Sequence, residues 1–267
     1  MYQKDKTVIL TGASRGIGPY IAKTLSAKGM TIIGVARVEA GLLKTKQAVE
    51  EKGGTFHAHQ FDLTDINGLE NLVNGLWEKH GPIHVLVNNA GIEYYEHYDR
   101  LSRSKITDIV NTNVQCPMEL TRVILPKMIL QKEGHVITIA SLAGKKGMAY
   151  NSVYSASKAA MIMWSDGLRQ EYRDSPVDIS VICPGFVSEA GMFHDANIPP
   201  PALLGASSPQ RVANAVLKAL KKGSCELIVN KGPIRPLLAL GQISWKIADT
   251  LTRWFGVPAL NRKRISS

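Results

Sequence analysis

Seven short runs rich in β-branched and aliphatic residues, Thr7–Leu10, Thr31–Ala36, Thr55–Phe61, Val85–Asn88, His135–Ala140, Asp178–Cys183 and Glu226–Asn230, are each separated from the next by a helical pattern. A strand followed by a helix and another strand closes as a parallel pair through a right-handed crossover. Seven such runs therefore predict an α/β fold: a doubly wound, parallel seven-stranded sheet with helices on both faces. A chain of 267 residues, 45% of them hydrophobic, can bury a large core and still be one domain. We assign that domain to residues 1–230, and read 231–267 as a basic amphipathic extension packed on or beside it. Sheets of this kind bind ligands outside the carboxyl ends of their strands. Gly12 to Gly18, Arg37, Asp62, Asn89-Ala90-Gly91, Ser141 and Pro184-Gly185 all fall just past strand ends, as a single crevice requires.

Two local patterns carry chemistry. Thr11-Gly12-Ala13-Ser14-Arg15-Gly16-Ile17-Gly18 follows the first strand and opens an apolar-periodic segment that runs to Leu25. Its glycines let the backbone approach a pyrophosphate, and the helix start stabilises the charge. The spacing is not the Gly-x-Gly-x-x-Gly of the usual dinucleotide fingerprint. Tyr154 and Lys158, in Tyr-Ser-Ala-Ser-Lys, lie four residues apart and so share one helix face. A phenol ionises near pH ~10, and a neighbouring cation lowers that value. The expectation is a Tyr able to exchange protons in a reversible carbonyl/alcohol conversion.

Taken together, Thr11-Gly12-x-x-x-Gly16-x-Gly18, Asn88-Asn89-Ala90-Gly91, Asn113, Ser141, Tyr154-x-x-x-Lys158 and Pro184-Gly185 closely resemble the short-chain dehydrogenase/reductase family in order and approximate spacing, from residue 5 to about 230. The resemblance implies a Rossmann-type fold and an oxidoreductase. In it, Tyr154 donates a proton to the nascent alkoxide, and Lys158 anchors the cofactor ribose and tunes the phenol. Ser141 hydrogen-bonds the substrate oxygen. Asn113 holds a relay water and distorts its helix, with Asn111 as the competing assignment. It implies cofactor contacts at Gly12, Ser14, Arg15, Gly16, Ile17, Gly18, Asp62, Leu63, Asn89, Ala90, Gly91, Tyr154, Lys158, Pro184, Gly185 and Val187. It also implies a homodimer or homotetramer formed through the helices that carry Asn113 and Tyr154.

The second strand ends in Val35-Ala36-Arg37, without the carboxylate that would accept from an adenine-ribose diol. A guanidinium matches a 2′-phosphate, and Arg15 resembles the second basic residue of NADP-using relatives, so the expected cofactor is NADP(H). Two departures from the family pattern stand out. Ser188 and Glu189 occupy the place of a Thr near the nicotinamide carboxamide, where either Ser188 substitutes or the contact is lost, and where Glu189 could accept from the amide. After Asn230 the chain continues where many relatives end in a glycine pair, which makes a 3-oxoacyl-carrier-protein reductase a weaker expectation.

The segment Leu237–Phe255 reads as one amphipathic helix, with Gln242, Lys246, Asp249 and Arg253 on one face and Leu240, Ile247, Leu251 and Trp254 opposite. Seven Lys or Arg and one Asp from Lys231 onward put about +6 of the formal +10 there. Those polar positions argue against a spanning helix. Three readings stay open: packing on the body or another subunit, a lid over an apolar pocket, or a peripheral membrane anchor using Trp245, Trp254 and Arg262-Lys263-Arg264. Tyr94, Tyr95, Tyr98, Met148, Met192, Phe193, Ile198 and Leu203 lie in loops expected around the reacting carbon, and the Pro-rich stretch from Ser188 to Ser208 reads as a lid, so a lipophilic ketone, aldehyde or alcohol is expected. Cys116, Cys183 and Cys225 read as buried thiols, and seven scattered His imply no metal. No signal or apolar span precedes the first strand, so a cytoplasmic protein is expected, and no motif points to nucleic acid. The rival functions are an NADP(H)-binding regulator with little turnover and a membrane-surface interaction protein.

Overall fold

The structure, a computed structural model, describes residues 4–192, 204–223, 225–232 and 234–265. Strands β1 (Thr7–Thr11), β2 (Thr31–Ala36), β3 (Thr55–Gln60), β4 (Val85–Asn88), β5 (Gly134–Ile139), β6 (Val177–Pro184) and β7 (Glu226–Val229) form one sheet in the order β3-β2-β1-β4-β5-β6-β7. Every pair is parallel, from Thr7 beside Thr31 to Pro184 beside Val229. This is the expected Rossmann-type sheet.

Strand residues alternate between two cores, as the period of two demands. Val8, Leu10, Val85, Val87, Ile137 and Ile139 pack under α1 (Gly18–Ser26), α2 (Glu39–Glu50) and α7 (Pro209–Lys222). Ile9, Leu86 and Val136 pack under α3 (Leu69–His80) and α5 (Cys116–Leu130). On that second face α6 (Ser152–Glu171) covers Ala140, Val181 and Cys183 through Met161 and Ile162. The winding reverses between β1 and β4, so their carboxyl ends diverge into a crevice. Helix α4 (Arg103–Val110) leads into α5 through a π-helical turn, Asn111–Gln115.

Two expectations are corrected. The segment Leu237–Phe255 is not one helix but parts of α8 (Ile234–Ile243) and α9 (Trp245–Trp254), followed by α10 (Val257–Lys263). Ser244 breaks it, extended at φ −149°, ψ 123°, with its hydroxyl accepting from Ile247 N as the N-cap of α9. The break resets the helical phase, so the face drawn from a continuous 3.6 period fails. Leu240, Ile247 and Trp254 are exposed, and only Leu251 of that set turns inward. The second correction is Cys225. Cys116 and Cys183 are buried, but Cys225 is exposed in the turn before the edge strand β7, hydrogen-bonded to Arg169.

Candidate active site

The glycine turn and the loop after β4 hold one another. Thr11 Oγ1 accepts from Asn89 N at 3.0 Å and Ala90 N at 3.1 Å, while Asn89 Nδ2 donates to Thr11 O at 2.9 Å and Gly12 O at 3.2 Å. Gly12 sits at φ +66°, and a Cβ there would lie 2.9 Å from Ala90 Cα. Helix and turn meet at Gly18, where a Cβ would stand 2.2 Å from Gly12 O. Only glycine permits that approach. Pro19 occupies the first turn of α1, where an N–H has no helical partner in any case.

Beyond the turn lies a crevice of about 180 Å³ lined by Gly12, Ser14, Arg15, Gly16, Ile17, Arg37, Asp62, Leu63, Asn89, Ala90 and Gly91. Asp62 Oδ1 accepts from Thr64 N and Oγ1 at 3.0 and 2.9 Å, which fixes the carboxylate at the rim. Gly18 lines no part of it; its role in the structure is the close packing of α1 against the turn. A Cβ on Gly91 would reach within 3.3 Å of both Lys158 Nζ and Asn113 Oδ1, so a side chain there would fill the passage from the crevice to Lys158. The donor set and this kept-open passage fit an extended dinucleotide.

Tyr154 and Lys158 project from α6 one turn apart, both buried. Ser141, extended after β5, is hydrogen-bonded to the Tyr154 hydroxyl, and its Oγ accepts from Ala143 N at 3.1 Å. Lys158 Nζ donates to Ile139 O at 3.0 Å and sits 5.6 Å from the centre of the Tyr154 ring. Asn113 lies in the π-helical turn, a local distortion of the kind expected for it. Its Nδ2 donates to Ile92 O at 2.9 Å and Ser157 Oγ at 3.0 Å, and its Oδ1 accepts from Ile92 N at 2.8 Å. Asn113, not Asn111, is the asparagine that faces Lys158 across Gly91.

The electrostatics correct one expectation. The phenol of Tyr154 is pushed above its ordinary range, chiefly by burial and then by the Glu93 carboxylate; the Ser141 hydrogen bond and Arg264 act the other way. The ammonium of Lys158 is held at the Ile139 carbonyl and is itself sealed from water. Burial pushes it down to about 8, with Glu93 and Cys183 partly opposing.

Tyr154, Ser141 and Lys158 open onto a second cavity of about 540 Å³, which joins the crevice along Ile17, Asn89 and Gly91 and is also lined by Pro184, Gly185 and Val187. Tyr95, Met148 and Met192 line it as expected, whereas Tyr94 packs against Lys105 and Tyr98 is exposed. Phe193, Ile198 and Leu203 lie outside the described residues, as does most of the stretch read as a lid. Ser188 N donates to Ser207 O at 3.0 Å. Glu189 is exposed at φ +73° and lines neither cavity, so the structure offers no support for an amide contact there.

A further wall comes from the C-terminal segment, in the manner of the lid that is one of its three open readings. Leu237, Leu238, Trp245, Ala248, Leu251 and Phe255 roof the cavity, and Lys146 ties the roof to the body through Asp249 at 2.7 Å. Farther on, Asn261 Nδ2 donates to Ala149 O at 3.1 Å, and Arg264 pairs with Glu93 at 2.7 Å. Among the described residues, no cluster of three or more His, Cys, Asp or Glu could hold a metal ion, and no helix is long and apolar enough to cross a membrane.

Residues 6–199 match the family described as short chain dehydrogenase. The chain is 49% identical over 264 residues, 97% of its length and 92% of the relative's, to the ketoacyl reductase HetN of Nostoc sp.. It is 32% identical over 225 residues, 80% of its length and 88% of the relative's, to the 3-oxoacyl-[acyl-carrier-protein] reductase FabG of Escherichia coli. A metagenomic short-chain oxidoreductase solved in complex with NADP superposes with a TM-score of 0.74 at 27% identity, covering 86% of this chain and 98% of that one.

Proposed function

The chain belongs to the short-chain dehydrogenase family, and from that premise we propose that it is an NADP(H)-dependent oxidoreductase interconverting a lipophilic ketone or aldehyde and its alcohol. The observation that carries this reading is the convergence of Ser141, Tyr154 and Lys158 in the wall of a largely apolar 540 Å³ cavity that runs into the glycine crevice. When bound, the nicotinamide supplies hydride to the carbonyl carbon. Ser141 Oγ then fixes the carbonyl oxygen, and the Tyr154 hydroxyl gives its proton to the oxygen as negative charge develops there. Oxidation runs the same transfer backwards, Tyr154 taking the alcohol proton. Lys158 would hold the ribose, and a water at Asn113 would return the proton to Lys158 and the phenol from solvent.

Arg37 and Arg15 at the crevice rim would pair with a 2′-phosphate, a preference that agrees with the NADP bound by the metagenomic neighbour. The apolar roof supports a lipophilic substrate. Acyl ketones regain weight from the relatives named ketoacyl reductases, although the chain continues past the usual family ending. The residues 1–230 would then be the catalytic domain and 231–267 its roof. Leu130 and Met163, exposed on α5 and α6, suit association of copies through those helices.

The deciding experiment is NADPH consumption, with NADH in parallel, over carbonyls from small diketones to long-chain and steroid ketones. Tyr154→Phe serves as blank and should lose at least about a hundredfold in rate. Binding of NADPH without turnover anywhere in the panel would favour the regulatory alternative. A second reading rests on Ile243, Trp245 and Trp254, which are 78%, 81% and 71% exposed in a C-terminal segment that also carries Arg235, Lys246 and Arg253. Such a segment suits an anionic lipid surface, from which an apolar substrate could enter. Co-sedimentation with phosphatidylserine vesicles, lost on changing all three residues to Ser, would support it; equal sedimentation would end it.

A further inference from the structure

Glu93 and Arg264 stand 171 positions apart in sequence, yet both are nearly sealed from solvent, their side chains 10% and 5% exposed. They meet in the wall of the substrate cavity. Arg264 Nη2 bonds Glu93 Oε1 at 2.7 Å and Met192 O at 2.8 Å, Nη1 bonds the Tyr95 hydroxyl, and the guanidinium lies 3.9 Å over the Tyr95 ring. Tyr95 and Asn151 Nδ2 each donate to Glu93 Oε2 at 3.1 Å. One guanidinium therefore fastens the loop after β4, the entry to α6 and the substrate loop to the C-terminal helix.

A buried pair of this sort does not stabilise a fold much better than apolar residues of the same volume, so packing alone gives no reason for it. Its location does. Building on the hydride-transfer reading, we propose that Arg264 is a positioning residue of the active site, which neutralises Glu93 beside Tyr154 and so makes the C-terminal extension an integral part of the catalytic machinery. The carboxylate opposes formation of phenolate on Tyr154, and the guanidinium opposes the carboxylate. Lys145 is engaged by Glu226 and Lys146 by Asp249. Lys158 attracts the Glu93 carboxylate electrostatically but is held at Ile139 O, whereas Arg264 bonds that carboxylate directly. Loss of Arg264 leaves Glu93 without its direct counter-charge and with only the more distant Lys158 to offset it.

The test compares the full chain with Arg264→Met, Glu93→Gln, the double variant and Arg264→Lys. Two readouts are taken: the pH dependence of alcohol oxidation with NADP, and the rate at which tetranitromethane nitrates Tyr154, counted on the peptide by mass spectrometry. Nitration follows the phenolate fraction and needs no turnover. Arg264→Met should move the acidic limb of the oxidation profile, where the phenolate base is lost, up by about one pH unit and slow nitration about tenfold. Arg264→Lys and the double variant should recover most of both. A clamp with only a structural role would lower the rate without moving the limb, and removing its second member would deepen the damage. Should Arg264→Met fail to fold, Glu93→Gln alone must lower the limb and speed nitration. Without turnover in the unaltered chain the functional reading fails, and nitration alone decides this one. Nitration that is the same in every folded variant overturns the proposal.

Discussion

Lys158 is an ammonium sealed beside a phenol, and its ionisation ties the stability of the fold to the chemistry of the site. Burial lowers it from 10.5 to about 8. That depression of about two and a half pH units corresponds to about 3 kcal/mol, the cost the native state carries at neutral pH for keeping this charge out of water. Between about pH 8 and 10.5 the unfolded chain still binds the proton that the native chain has released, so the group's contribution to stability rises with pH across that window. Below it both states are protonated and the contribution is flat. Lys158→Met removes the titrating group and leaves the volume nearly unchanged. Urea unfolding of both chains at about pH 7, 9 and 10 reads the effect, because groups not coupled to Lys158 cancel in the difference. The unaltered chain should gain on the variant by up to about 3 kcal/mol from the lowest to the highest pH. A difference that stays constant would refute the claim that Lys158 is desolvated, and with it the view that this ammonium is held at the edge of deprotonation beside Tyr154.

Arg37→Ser should raise the KM for NADPH by about one to two orders of magnitude and leave that for NADH almost unmoved, since only the former carries a 2′-phosphate; parallel steady-state kinetics would check this. Under native conditions a thiol reagent should label Cys225 alone. Cys116 and Cys183 are buried, with thiols pushed up to about 12, and should react only on unfolding, as peptide mapping would reveal.

Much of this was legible in the chain. The central strand runs could be read to within a residue or two because Thr7-Val8-Ile9-Leu10, Val85–Asn88 and the run before Ser141 are buried on both faces of a parallel sheet, which leaves an almost unbroken apolar run. Tyr154 with Lys158 was legible as one helix face because that is a local statement about a few adjacent residues, while the helix distortion at Asn113 came from the family resemblance, with Asn111 as its rival. The direction of the Tyr154 shift was not. It depends on how completely the phenol is sealed and on Glu93, neither of which a spacing of four residues reports. The tail failed for a different reason. Ser244 is an unremarkable residue inside a good amphipathic pattern, and only its extended backbone shows that the pattern belongs to two helices.

The C-terminal roof alters how the fold and the chemistry are related. The sheet could position Tyr154, Ser141 and Lys158 without any residue beyond Asn230, since each is held by β5 or α6. What it could not do is enclose them: the cavity is closed by Leu237, Leu238, Leu251 and Phe255, and its buried acid is balanced by Arg264. Enclosure and charge balance are supplied by the same C-terminal segment. An apolar roof excludes water and strengthens every charge inside, which raises the cost of an unbalanced Glu93. The same roof without the guanidinium would seal the Glu93 acid into one cavity with Tyr154 and without its direct counter-charge.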